Sequence, residues 1–138
     1  MSAKDKFHDI VKTALQKDGW IITDDPLYIN FGGVQMYVDL GAEKLIAAEK
    51  NGEKIAVEIK SFIGASAISD FHTAFGQFLN YRTVLREKDS GRALYLAVNI
   101  ETYNDFFMLP FTQLQIKEYQ LKIIIYDVDT EEIIRWQS

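Results

Sequence analysis

The stretch that decides the fold is EKIAVEIKSF, residues 53–62. Ile55, Val57 and Ile59 alternate with Lys54, Ala56, Glu58 and Lys60, which is the period of a strand with one oily face. The other face brings a carboxylate and an ammonium together near the strand's end, Glu58 and Lys60. That pairing has two readings. A solvated outer face asks nothing more of the chain, whereas a catalytic pair asks for a second acid and a scaffold that holds it.

Just upstream, Asn51-Gly52 is the preferred central pair of a type I′ hairpin turn, so residues 44–50 form the partner strand. A two-residue turn there sets Glu58 opposite Leu45 and Lys60 opposite Glu43. Glu49, Lys50, Glu53 and Lys54 flank the turn and read as a solvated tip.

Further out, residues 5–17 place Phe7, Ile10, Val11, Ala14 and Leu15 on one helical face, with Gly19 as the stop. Strand-like segments follow at 20–23, 27–31 and 34–40, separated by Asp25-Pro26 and Gly32-Gly33. After Lys60 a loop over 61–69 leads to Ser69 as N-cap, and 70–88 follow helical spacing with Phe71, Phe75 and Phe78 as core. Residues 93–99 are a nearly continuous apolar run, the mark of a strand covered on both faces. A helical stretch over 103–118 is interrupted at Pro110, 121–128 form a second buried strand, and 132–136 pair back or end the sheet. This order predicts an α/β protein, a mixed sheet with helices on its faces.

Composition sets outer bounds. A chain of 138 residues with 48% hydrophobic content suits one domain with a sizeable core. Without cysteine it has no disulfide or thiolate chemistry. Charges at Asp5, His8, Asp9 and Lys12 argue against a signal peptide, and no long apolar run can span a bilayer, so the expected location is the cytoplasm. The net charge of −5 works against unaided DNA binding, although a basic partner subunit could supply the missing charge.

Asp39 precedes the hairpin, near the end of the 34–40 strand. Two carboxylates converging at strand ends can hold Mg²⁺, a hard cation that prefers oxygen ligands. Such a metal lowers the pKa of a bound water and screens charge growing on phosphorus. A lysine two residues after the second acid shares its strand face, where it can orient that water or stabilise the transition state. In the ideal register Glu43 lies nearer to Lys60 than Asp39 does. Asp39 fits if Gly41 kinks the chain back, as a glycine bulge can. Both remain candidates for the first acid.

The set Asp39…Glu58-Ile59-Lys60, following an N-terminal helix and ending a hairpin, resembles the PD-(D/E)XK nuclease superfamily, whose core is helix, three strands, helix, strand. In QFLNY, Gln77 and Tyr81 stand at i and i+4 and resemble the QxxxY element of the RecB-like branch, which supports the active site and contacts DNA. Val38 departs from the proline often found before the first acid. Nearly end to end, through KDGW (17–20), DLGAEKLIAAEK (39–50), KIAVEIKSF (54–62) and GQFLNY (76–81), the chain is similar to the fdxN element excision controlling factor XisH family.

These resemblances imply a restriction endonuclease-like fold, catalytic Asp39, Glu58 and Lys60, and Mg²⁺ or Mn²⁺ held by Asp39 and Glu58. They also imply DNA as substrate, a role in programmed excision by a site-specific recombinase, and a XisI-like companion; a homodimer is the other way to supply help. The competing reading is a non-catalytic interaction factor on the same fold. His8 and Asp9 on the first helix are either helpers or part of a solvated face beside Asp5 and Lys12. His72 reads as a helix-end residue, and the aromatic cluster at 103–111 as core or docking patch.

Overall fold

The structure, a computed structural model, describes residues 3–36 and 45–138. Asp39 and Glu43 lie outside the described residues. The elements are α1 (Ala3–Lys17), β1 (Ile21–Asp24), β2 (Ile29–Phe31), β3 (Val34–Met36), β4 (Leu45–Lys50), β5 (Glu53–Ile59) and α2 (Ala67–Lys88). Then come β6 (Arg92–Asn99), α3 (Ile100–Thr102) running into a π-helical turn (Tyr103–Phe107), α4 (Pro110–Tyr119), β7 (Ile123–Asp127) and β8 (Glu132–Gln137).

Asn51 at φ 50° and Gly52 at φ 84° close the central hairpin as the turn chemistry requires. The ladder follows directly, with Lys50 opposite Glu53 and Leu45 opposite Glu58. Around that hairpin a six-stranded mixed sheet forms in the order β1-β4-β5-β6-β7-β8. β5, β6 and β7 run parallel, and the outer neighbours pair antiparallel. β2 and β3 make a hairpin of their own beside it.

β5 has two buried faces rather than one oily and one solvated. Ile55, Val57 and Ile59 join Ile46, Ala48 and Ile124 beneath Ile10, Val11 and Leu15 of α1. Ala56 joins Leu45, Leu96 and Ile123 beneath α2 and α4. Parallel strands need crossovers, and two right-handed crossovers advancing in one direction put their helices on the same side. This leaves the opposite side to α1.

α2 begins three residues earlier than expected. Ser66, not Ser69, is its N-cap, and its side chain accepts the Ser69 N–H at 3.2 Å. Two serines three apart offer alternative caps, and the first reaches the N3 amide of the longer helix. The buried stripe Phe71, Ala74, Phe78, Tyr81 and Leu85 has the expected spacing. The hairpin tip is tied down instead of merely solvated: Lys54 pairs with Asp89 at 2.9 Å, and Lys50 donates to the Asp18 carbonyl.

The 103–111 cluster splits in two. Tyr103, Phe106 and Phe107 are core, while Met108, Leu109 and Phe111 are exposed. Phe71 is the hub of the aromatic packing, with the rings of Phe75, Phe106, Phe107 and Phe111 at 5.5, 5.6, 5.8 and 6.2 Å. Among the described residues no helix is long and apolar enough to cross a membrane.

Deleting a fully buried phenyl ring leaves a cavity that rigid neighbours cannot fill, so Phe71→Ala is expected to cost about 3–5 kcal/mol. Urea denaturation measures it; a loss below about 1 kcal/mol would contradict the hub role.

Candidate functional site

Glu58 occupies the last turn of the β5 pleat, opposite Leu45 on β4 and Leu96 on β6. It is only 1% exposed. The ladder persists one residue beyond β5, where the Lys60 N–H donates to the Ala97 carbonyl at 3.5 Å. Lys60 follows Glu58 on the side that faces α2, by the strand's alternation, and is buried too. The solvated-face reading of this pair is therefore wrong. Alternation alone cannot tell a wet second face from one covered by a helix.

Six polar residues are buried among the described residues: His8, Glu58, Lys60, Ser61, Asn99 and Thr112. Four of them gather at one end of the sheet, since Glu58 stands next to the last residue of β5, Lys60 and Ser61 follow that strand directly, and Asn99 closes β6. Asn99 also caps α3, its side chain accepting the Thr102 N–H at 2.9 Å. Burying such groups is costly, so a cluster of them is the chemically distinctive part of the sheet. Phe62, right after Ser61, sits at φ 56° with its ring edge-on to Phe107. A bulky residue in that left-handed region is strained, a state that packing must enforce.

α2 brings Tyr81 to the same end. Its ring is in the buried stripe, and burial together with the charge of Glu58 pushes the phenol up to about 12. Tyr81 thus stays a protonated hydrogen-bond donor at ordinary pH. Gln77, one turn earlier, is half-buried. His72 is exposed near the start of α2, in keeping with a helix-end residue. Among the described residues, no three His, Asp or Glu side chains form a metal-binding group.

His8 is not on a solvated face. It is buried on α1, with Nε2 2.7 Å from Asp25 Oδ1, while Lys12 Nζ lies 2.7 Å from Asp25 Oδ2. Asp9 is more distant, its Oδ1 3.5 Å from His8 Nδ1. Burial alone would raise the Asp25 pKa, but hydrogen bonds from Lys12 and His8 win and hold the carboxyl below its ordinary value. Sequence reading treats Asp25 only as a turn residue before Pro26. The i, i+4 spacing of His8 and Lys12 is the one local signal that both could grip a single acid. Because α1 covers the face away from α2, this network lies across the sheet from Tyr81.

The profile described as XisH protein matches residues 1–134. The chain belongs to the XisH family. A crystal structure of an XisH family protein from Nostoc punctiforme PCC 73102 is 56% identical, with 97% of this chain and 100% of that one covered and a TM-score of 0.91. A crystal structure of an fdxN element excision controlling factor protein from Anabaena variabilis is also 56% identical, covering 97% of this chain and 99% of that one at a TM-score of 0.90. No curated protein matches the chain.

Two titrations test this geometry. A folded-state phenol pKa of about 12, above the ordinary 10.0, contributes stability below pH 10 that is lost as pH rises toward 12. Urea midpoints should therefore fall less steeply over that window in Tyr81→Phe than in wild type, with Glu58→Gln in between. Equal slopes in all three would separate Tyr81 from Glu58. At the acid end, the depressed Asp25 contributes stability above its unfolded value of 3.8 that is lost as pH falls through that region. Asp25→Asn should lower stability at neutral pH and flatten the acid limb, and an unchanged acid limb would discount the His8–Asp25–Lys12 network.

Proposed function

We propose that this XisH-family chain is a DNA-processing factor with a PD-(D/E)XK nuclease-like site. It would act in the excision of a DNA element by a site-specific recombinase, a reading supported by its likeness to the fdxN element excision controlling factor protein from Anabaena variabilis. The observation that carries the reading is the burial of Glu58 and Lys60 together at the carboxyl ends of parallel β5 and β6. In open α/β sheets that is the end where ligands bind.

The donor chemistry suits a hard divalent cation, because Glu58 offers carboxylate oxygens at a strand end. One carboxylate is a weak holder, so the second would come from Asp39, with Glu43 as the register alternative. When bound, Mg²⁺ or Mn²⁺ would supply an acidified water and a counter-charge for phosphorus. Lys60, an ammonium on the same face, would orient the attacking water and oppose charge on the scissile phosphate. Tyr81, neutral and with its phenol pushed up by burial and the charge of Glu58, would restrain that carboxylate, and Gln77 one turn away would support the site or touch DNA.

An acidic chain is a poor DNA binder alone, so the reading includes a XisI-like companion or a second copy of this chain. The exposed apolar side chains Met108, Leu109, Phe111 and Leu114 favour the contact there. The same patch favours a second reading, a non-catalytic factor that regulates recombination through its partner.

Glu58→Ala is expected to abolish both Mn²⁺ binding by calorimetry and nicking of supercoiled DNA. Lys60→Ala should keep metal binding while cleavage falls about 10²–10³-fold, since it removes transition-state stabilisation and no ligand. Wild type that binds no metal and cuts no DNA with its companion present leaves the interaction factor as the answer.

A further inference from the structure

At the opposite end of the sheet, where α2 ends and β6 and β7 begin, lies a cavity of about 310 Å³. Arg82, Arg86, Arg92 and Lys122 line it, and no carboxylate does. In a chain with 20 acidic and 15 basic residues, four cations around one hollow invert the charge of the whole.

Two of these cations, Arg82 and Lys122, are held in place without being neutralised. Arg82 donates from Nη1 to the Tyr119 carbonyl at 2.7 Å and the Gln120 carbonyl at 3.4 Å, with its guanidinium 5.5 Å from the Phe78 ring centre. Arg92 donates to the Ile55 carbonyl at 2.9 Å, and Lys122 lies 5.8 Å from the Tyr95 ring centre. Carbonyls and ring faces orient a cation but leave its charge intact. Asp89 is shared between Arg92 and Lys54 at 2.9 Å each, and those two hydrogen bonds hold its carboxyl below the usual range. Arg86 has no hydrogen bond or ion pair among the described residues.

Like charges lining one hollow repel, the more so the closer they stand relative to the screening length of about 8 Å. An anion converts that repulsion into attraction. Guanidinium forks match the paired oxygens of phosphate, and fixed cations lose little entropy on binding. The volume is near the lower end for small-molecule sites, which suits a phosphoryl group with little attached.

We infer that this cavity is a phosphate-anion site, separate from the Glu58 end and independent of the reading given to it. The phosphate belongs either to a nucleic-acid backbone or to a free phosphate compound. Two probes distinguish the sources: pyrophosphate by calorimetry, and a short fluorescent oligonucleotide by anisotropy. Both are run at low salt in EDTA, so that metal binding at Glu58 plays no part. The double variant Arg86→Gln/Lys122→Gln should weaken the bound probe about ten-fold or more, the loss of at least one charge-assisted hydrogen bond. Lys6→Gln, an exposed control on α1, should leave it unchanged.

Pyrophosphate binding that the double variant loses assigns a free phosphate compound; oligonucleotide binding alone, lost in the same way, assigns a nucleic-acid backbone. If the double variant fails to fold by circular dichroism, Arg86→Gln alone carries the test, since that side chain has no described partner to lose. Wild type that binds neither probe, or binding that the variants leave as tight as wild type, overturns the inference.

Discussion

The two-residue turn at Asn51-Gly52 is the constraint on which the sheet depends. Both residues take positive φ, which is cheap for asparagine and glycine and expensive for almost any other pair. A turn of that length allows one register, with Leu45 opposite Glu58. A slip of one residue would send Glu58 and Lys60 to the α1 face, among Ile46, Ala48 and Ile124, and would turn Ile55, Val57 and Ile59 toward α2. Face assignment in β5 then propagates through its parallel pairing to β6 and on to β7.

With the faces set, the two ends of the sheet become chemically unlike. Polar burial gathers where β5 and β6 finish, at Glu58, Lys60, Ser61 and Asn99. Positive charge gathers where β6 and β7 start, at Arg82, Arg86, Arg92 and Lys122, with only Arg92 paired to an acid, Asp89. α2 joins the two regions, with Tyr81 facing Glu58 and Arg82 and Arg86 at the far cavity. One helix can serve both because a residue step of about 100° turns adjacent positions to different surroundings. Tyr81 is in the core stripe while Arg82, its neighbour, reaches the α4 C-terminus.

The price of the polar end is local strain and desolvation. Phe62 holds a left-handed backbone immediately after the buried Lys60-Ser61 pair, and its ring is pinned against Phe107. Backbone strain of this kind costs of order 1–3 kcal/mol and persists only where surrounding packing enforces it. The aromatic hub around Phe71 supplies that packing from α2, the π-helical turn and α4. A carboxylate at 1% exposure is costly to bury, which makes this end of the sheet its chemically distinctive part.

Local chemistry made much of this legible in advance. The hairpin register, the apolar face of α1, the stripe on α2, the doubly covered β6 and the break before Pro110 all follow from turn preferences and periodicity, which act over a few residues. Spacing also put Glu58 and Lys60 on one strand face. Other features depend on contacts between residues far apart in the chain. Whether the second face of β5 is wet or dry rests on α2 lying over it, and alternation is the same in either case. His8 and Lys12 grip Asp25 across 17 and 13 positions, and Lys54 meets Asp89 across 35. The cationic cavity joins the end of α2 to Lys122 on the approach to β7. No short window of sequence contains such pairs. Only the packing of helices on the sheet brings them within reach, because long-range electrostatic partners are chosen by where the hydrophobic faces force the backbone to go.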